Sequence, residues 1–265
     1  MSFKLDRSNS TYSSKTDDSL TKINTLIFKI KGQLENDKRL SNMHPKLKKE
    51  RSVIFFKKIS KIISSLNYSE ATFFLALKIF DKYFERIFFP KLDKNSIFKI
   101  ALVCLELASK LHEKQIISLR LKSFSSIIPD FNLKEMQIIE KDILFKLNFK
   151  VNFYTGYDIL RELYVHSKEF SFINLNDEVE RQFFERKLKI AGQILKNLLL
   201  NGYCEHIDDF HLAIFIFNIE CQENWNDAPY KHILEKNFVE NRSYYQKKIF
   251  TIKEVLYNGN APMIF

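Results

Sequence analysis

A chain of 265 residues with 45% hydrophobic content can bury one sizeable core or two smaller ones of about 100–150 residues each, which excludes wholesale disorder. Five glycines and five prolines in the whole length are too few for the tight turns that hairpin-rich β folds consume, so long helices joined by short connections are expected. The net charge of +10 would attract acidic surfaces, but the lysines are spread along the chain and read first as a solvated face.

Residues 1–20 are rich in Ser and Thr and carry too little apolar surface to offset ordering, so they are expected to form a flexible tail. From Leu20 to about Leu34, Ile23, Leu26, Ile27 and Ile30 recur at helical spacing and predict an amphipathic helix ahead of the main body. Pro45 suits a first turn, and Val53, Ile54, Phe56, Ile59, Ile62, Ile63 and Leu66 then form one stripe of a helix ending at Leu66. Ser69 can cap the next helix, which runs to about Ile87 and is closed by Pro90. Between Ser96 and Leu111 only Lys99, Glu106 and Lys110 are charged. A helix apolar nearly all round must be the hub of a bundle, and this one is too short to cross a bilayer.

A shorter amphipathic piece (116–128) leads to Pro129, after which Asn132 and Glu135 make a capping-box-like start for a helix to Leu147. Five helices are then complete. The rhythm repeats more weakly in Tyr157–His166, Val179–Leu200, Phe210–Cys221 and Tyr244–Tyr257, with Gly202 and Pro229 as punctuation.

Catalytic and metal chemistry find no anchor. Cys104, Cys204 and Cys221 are an odd number without C-x-x-C spacing, so neither a disulfide framework nor a thiolate zinc site is indicated. His206 and His211 are five residues apart, off one helical face, so a metal with Cys204 is not expected, and Asp208 and Asp209 read instead as caps for the helix from Phe210. Phosphate-binding and nucleophile-elbow motifs are missing, so neither an enzyme nor a cofactor is expected. No apolar run is long enough for a membrane span, and the first residues lack a signal-peptide stretch, so the expected location is nuclear, cytoplasmic or both.

One charged residue stands out. Positions 133, 136, 140, 144 and 147 share a face, and four of them are Leu133, Met136, Leu144 and Leu147, whereas the fifth is Glu140. A carboxylate in an apolar stripe is costly to bury without a cation. Lys110, in line with Val103 and Leu107 in the last turn of the hub helix, is the natural candidate. Spacing alone leaves open whether such a pair satisfies only itself or serves a partner.

Three separated stretches, in order, resemble the cyclin box. Phe74-Leu75-Ala76-Leu77-Lys78-Ile79-Phe80-Asp81-Lys82-Tyr83-Phe84 resembles its second helix, Leu107-Ala108-Ser109-Lys110-Leu111-His112-Glu113 the Ala-Ser-Lys-containing end of its third, and Ile139 to Val151 its fifth with a Leu-x-Phe ending. The resemblance implies an all-α cyclin fold: a five-helix bundle repeated as a tandem second bundle and preceded by an N-terminal helix. The expected organisation is a tail (1–20), the N-terminal helix and first box (21–152), a divergent second bundle (153–257) and a C-terminal tail (258–265).

The implied function is that of a regulatory subunit. It would bind and activate a cyclin-dependent Ser/Thr kinase as a heterodimer in cell-cycle or developmental control, with kinase substrates or inhibitors as further partners. Lys110 and Glu140 match the family's pair that holds a kinase loop. Leu111, Leu144, Phe149 and Val151 match apolar positions that pack on the kinase C-helix, and Arg51 with Asp81 matches a structural ion pair. The family's substrate-docking motif aligns with Glu50 to Ile54, placing Val53 and Ile54 in a docking groove, although its companion tryptophan has become Lys or Phe depending on where a one-residue gap falls. The alternative is a cyclin-fold transcription factor or nucleic-acid-binding module, for which Lys46, Lys48, Lys49, Arg51, Lys57, Lys58 and Lys61 could track phosphates.

Overall fold

The computed structural model describes residues 45–87, 93–113, 133–166, 177–200 and 209–221, and every regular element within them is helical. The helices expected near 20–34, 116–128 and 244–257, both tails, and Pro90, Pro129, Asn132, Cys204 and His206 lie outside these residues.

The first helix is α1 (Pro45–Val53), which continues through a π-helical segment (Ile54–Ile59) into α2 (Ser60–Leu66). A π-helical turn absorbs one residue more than an α-helix would. It also shifts the apolar stripe. Ile54, Phe55, Ile59, Ile62 and Ile63 are buried, whereas Val53, expected on that stripe, faces solvent. Asn67 then ends α2 in the left-handed region (φ 51°), with the Tyr68 N–H donating to the Ile63 carbonyl at 3.0 Å.

α3 (Glu70–Arg86) begins at Ser69, whose Oγ accepts from the Thr72 N–H, and α4 (Lys94–His112) begins at Asp93, whose Oδ1 accepts from the N–H groups of Asn95 and Ser96. Apart from Lys99, α4 is buried continuously from Ile97 to Ser109, as expected of a hub, with α3 packed along it. Edge-to-face contacts of Phe55 with Phe73 and Phe80, at 5.9 and 5.2 Å between ring centres, lock the π-helical segment onto α3.

α5 (Leu133–Lys146) buries Met136 and Ile143, and Leu147 follows just beyond it. Leu133, expected on the inner face, is instead exposed, because the buried line passes through Ile143. Beyond it, α6 (Gly156–His166), α7 (Glu178–Leu200) and α8 (Asp209–Cys221) pack against one another. From Leu212 to Phe217 every residue of α8 is buried, so it is a second hub, and its unbroken apolar sequence carried the same signal as α4. The two halves meet where Phe74 stacks on Tyr157, 5.2 Å between ring centres and 9° from parallel. Gly192 makes this approach possible, since an added Cβ would lie 2.9 Å from the Tyr157 ring.

Candidate partner-binding site

With only a few side chains in the core, α5 relies on polar bridges to hold its position. Lys99 Nζ donates to Glu135 Oε1 at 2.6 Å, Tyr83 Oη to Asp142 Oδ2 at 2.5 Å, and Lys110 Nζ to Glu140 Oε1 at 2.7 Å. Burial, reinforced by the Asp142 carboxylate, pushes the Tyr83 hydroxyl well above its ordinary range, so it stays a donor.

The third bridge joins the two residues singled out by spacing. Their side chains keep 43% (Lys110) and 21% (Glu140) of their accessibility, so the pair forms a rim and not a core contact. The pair is neutral overall, yet an ammonium has three donors and a carboxylate several lone pairs, so both retain capacity for a visiting backbone. Lys110 Nζ also lies 3.9 Å from Oε1 of Glu106, a buried carboxylate one turn earlier on α4.

Around this rim the apolar residues are unequally placed. Leu111 and Phe149 are exposed, whereas Leu144 and Val151 are half-buried against the core and present only an edge. The chain leaves α5 with two successive left-handed residues, Asn148 (φ 51°) and Phe149 (φ 58°), held by the Phe149 N–H donating to the Leu144 carbonyl at 2.8 Å. Asn tolerates this conformation, but for a bulky residue it costs about 1–2 kcal/mol. Phe145, within a matched stretch but not expected at the site, meets the Phe149 ring edge-on at 5.4 Å.

Arg51 and Asp81 come together inside the fold. Nε and Nη2 of Arg51 donate to the two Asp81 carboxylate oxygens at 2.6 and 2.7 Å, and Nη1 donates to the Leu199 carbonyl at 3.0 Å. Burial pushes the Asp81 carboxyl up, and the charges of Arg51 and Lys78 pull against it. Ser52 Oγ donates to the Leu200 carbonyl at 2.5 Å, so α1 caps the end of α7 from a distance.

Two expectations for α1 need correction. Ile54 is only 3% exposed and cannot line an open docking groove, because it packs in the core, while Val53 faces outside beside Lys49 and Lys57. Arg51 cannot track phosphates, since its guanidinium is buried against Asp81. Lys46, Lys49, Lys57, Lys58 and Lys61 are exposed, with Lys58 4.1 Å from the Phe98 ring centre. Among the described residues no cluster could hold a metal ion, and no helix is long and apolar enough to cross a membrane.

Glu113, just past α4, accepts from the Ser69 N–H and Oγ at 2.8 and 2.9 Å and from the Thr72 hydroxyl, bracing the start of α3. Burial alone would raise its carboxyl, but these donors outweigh it and hold it below the usual range. A depressed folded-state value stabilises above the unfolded value of about 4.3 and is lost as pH falls through the folded one. Thermal melts of Glu113→Gln should therefore lie below the parent at neutral pH, and the gap should close below about pH 4. A gap independent of pH would show that the carboxylate charge is not what braces α3.

Comparison with known proteins agrees with this architecture. The sequence pattern described as "Cyclin, N-terminal domain" matches residues 23–152. Among solved structures, a viral cyclin from herpesvirus saimiri matches over 78% of this chain and 84% of its own, with a TM-score of 0.55 and 16% identity, a likeness of fold. Among curated proteins none matches the chain.

Proposed function

The chain belongs to the cyclin family, and from this we infer that it is the activating regulatory subunit of a cyclin-dependent Ser/Thr kinase, acting in cell-cycle or developmental control in the nucleus, the cytoplasm or both. The observation that carries the reading is the exposed pair of Lys110 and Glu140 at 2.7 Å, flanked by the exposed Leu111 and Phe149. The pair offers a donor and an acceptor side by side, which suits the carbonyl and N–H groups of a kinase loop. The flanking apolar side chains supply the buried anchors on which such interfaces depend.

Catalysis stays with the kinase. The kinase C-helix carries a glutamate that must pair with the phosphate-binding lysine, and a subunit that binds only the inward position of that helix shifts the population toward the active state. The segment of N-terminal helix and first box (21–152) supplies this surface, and the second bundle (153–257) supports it through the Phe74–Tyr157 stack and the Arg51 contacts.

The test is reconstitution of the full chain with a panel of recombinant cyclin-dependent kinases, read by gel filtration and peptide phosphorylation. One kinase should form an equimolar complex and gain activity by roughly 100-fold or more, a shift of about 2.7 kcal/mol. If none binds while duplex DNA is retained at moderate salt, the nucleic-acid reading replaces this one.

A further inference from the structure

The outer side of α5 carries an apolar line that the kinase-binding rim does not use. Ile138 and Phe145 are seven residues apart, two turns along one line of the helix, on the side away from the buried Met136, Ile143 and Leu147. They are 68% and 66% exposed, and Phe149, ring to ring with Phe145, is 63% exposed. A helix needs one apolar face for its own core, and α5 carries two further large apolar side chains outside that face. Phe149 is also held in the left-handed region, and strain of that kind persists at binding surfaces because the surrounding structure over-determines it.

The charges around this line identify what fits it. Lys134, Lys141, Lys146 and Lys150 are all exposed, whereas the carboxylates of Glu135 and Glu140 are paired with Lys99 and Lys110; Asp142, held by the neutral Tyr83 hydroxyl, keeps its charge against those four lysines. An apolar centre with a basic rim fits an apolar groove bordered by acidic residues. A second copy of this chain is disfavoured, since a two-fold contact would set lysines against the same lysines.

We propose that Ile138, Phe145 and Phe149 form a second anchor line by which the chain selects its kinase: the partner reaches round α5 from the loop held by Lys110 and Glu140 and carries there an acid-bordered apolar groove. This rests on the kinase-binding reading and is continuous with it through Phe149, whose ring meets Phe145 and whose N–H is bonded to Leu144, one turn beyond Glu140. Kinases that lack the groove would meet the rim without the line and bind more weakly.

The experiment measures the dissociation constant of the full chain for the tightest-binding recombinant cyclin-dependent kinase of a panel, for the parent, Lys110→Ala and the double variant Ile138→Ser/Phe145→Ser. The double variant should melt as the parent does and lose roughly tenfold or more in affinity, about 1.4 kcal/mol. It should lose less toward weaker-binding kinases of the panel. Affinity within twofold of the parent, with Lys110→Ala defective, overturns the second anchor and leaves the kinase-binding reading standing. If the parent binds no kinase, that reading fails first. If sedimentation shows a dimeric parent and a monomeric double variant whose kinase affinity is unchanged, the line is a self-association surface and the proposal is overturned.

Discussion

Lys110→Ala is expected to weaken kinase binding by roughly 30- to 1,000-fold, the equivalent of about 2–4 kcal/mol for a central anchor, and to abolish activation at working concentrations. Glu140→Ala should have a similar effect, because each side chain holds the other over the 2.7 Å contact and removing either frees its partner to move. An exposed pair contributes only about 0–1 kcal/mol to folding, so the loss should not come from unfolding. The two variants should nevertheless differ in stability. Glu106 is buried with its Oε1 3.9 Å from Lys110 Nζ, so losing the lysine removes a compensating cation, whereas losing Glu140 does not. Lys110→Ala should melt below Glu140→Ala, and Lys110→Glu, which adds a third carboxylate, lower still. Calorimetry and surface plasmon resonance on the same samples separate folding from binding. Near-parental affinity in both alanine variants would remove the pair from the interface.

The second large effect is on folding. Arg51→Ala would leave the Asp81 carboxylate buried without its bidentate partner and would remove the donor that Nη1 gives to the Leu199 carbonyl. Breaking a buried pair from one side costs about 3–5 kcal/mol, which for a chain of this size lowers the melting temperature by roughly 6–20 °C. Replacing both partners together, as in Arg51→Met/Asp81→Leu, should restore much of that loss, because a well-packed apolar pair needs no compensation. The pH dependence supplies a further signature. With the guanidinium gone, burial holds the Asp81 carboxyl above its unfolded value of about 3.9. A raised folded value stabilises at low pH and is lost as pH rises through it, so the deficit of Arg51→Ala should shrink on acidification. A deficit unchanged by pH, or a double variant no better than the single one, would mean that packing and not charge dominates at this position.

The sequence by itself determined the helical class, the hub at α4 and the location of the rim. An apolar stretch that reads the same from every side can only be central, and Ser69 and Lys110 act through local helix geometry that spacing encodes. Tertiary structure decided which faces are open. Next to the π-helical turn at Ile54–Ile59, Val53 faces outward although it reads as part of the stripe, and no periodicity of 3.6 anticipates a turn of a different pitch. Ile138 and Phe145 were not singled out in the sequence, and the packing of α5 against α3 and α4 leaves them outside. Arg51 was legible as the partner of Asp81, but its contact with the end of α7, 148 residues away, was not. Burial and long-range pairing belong to the assembled helices and not to any one of them, because each helix hides only the face its neighbours cover.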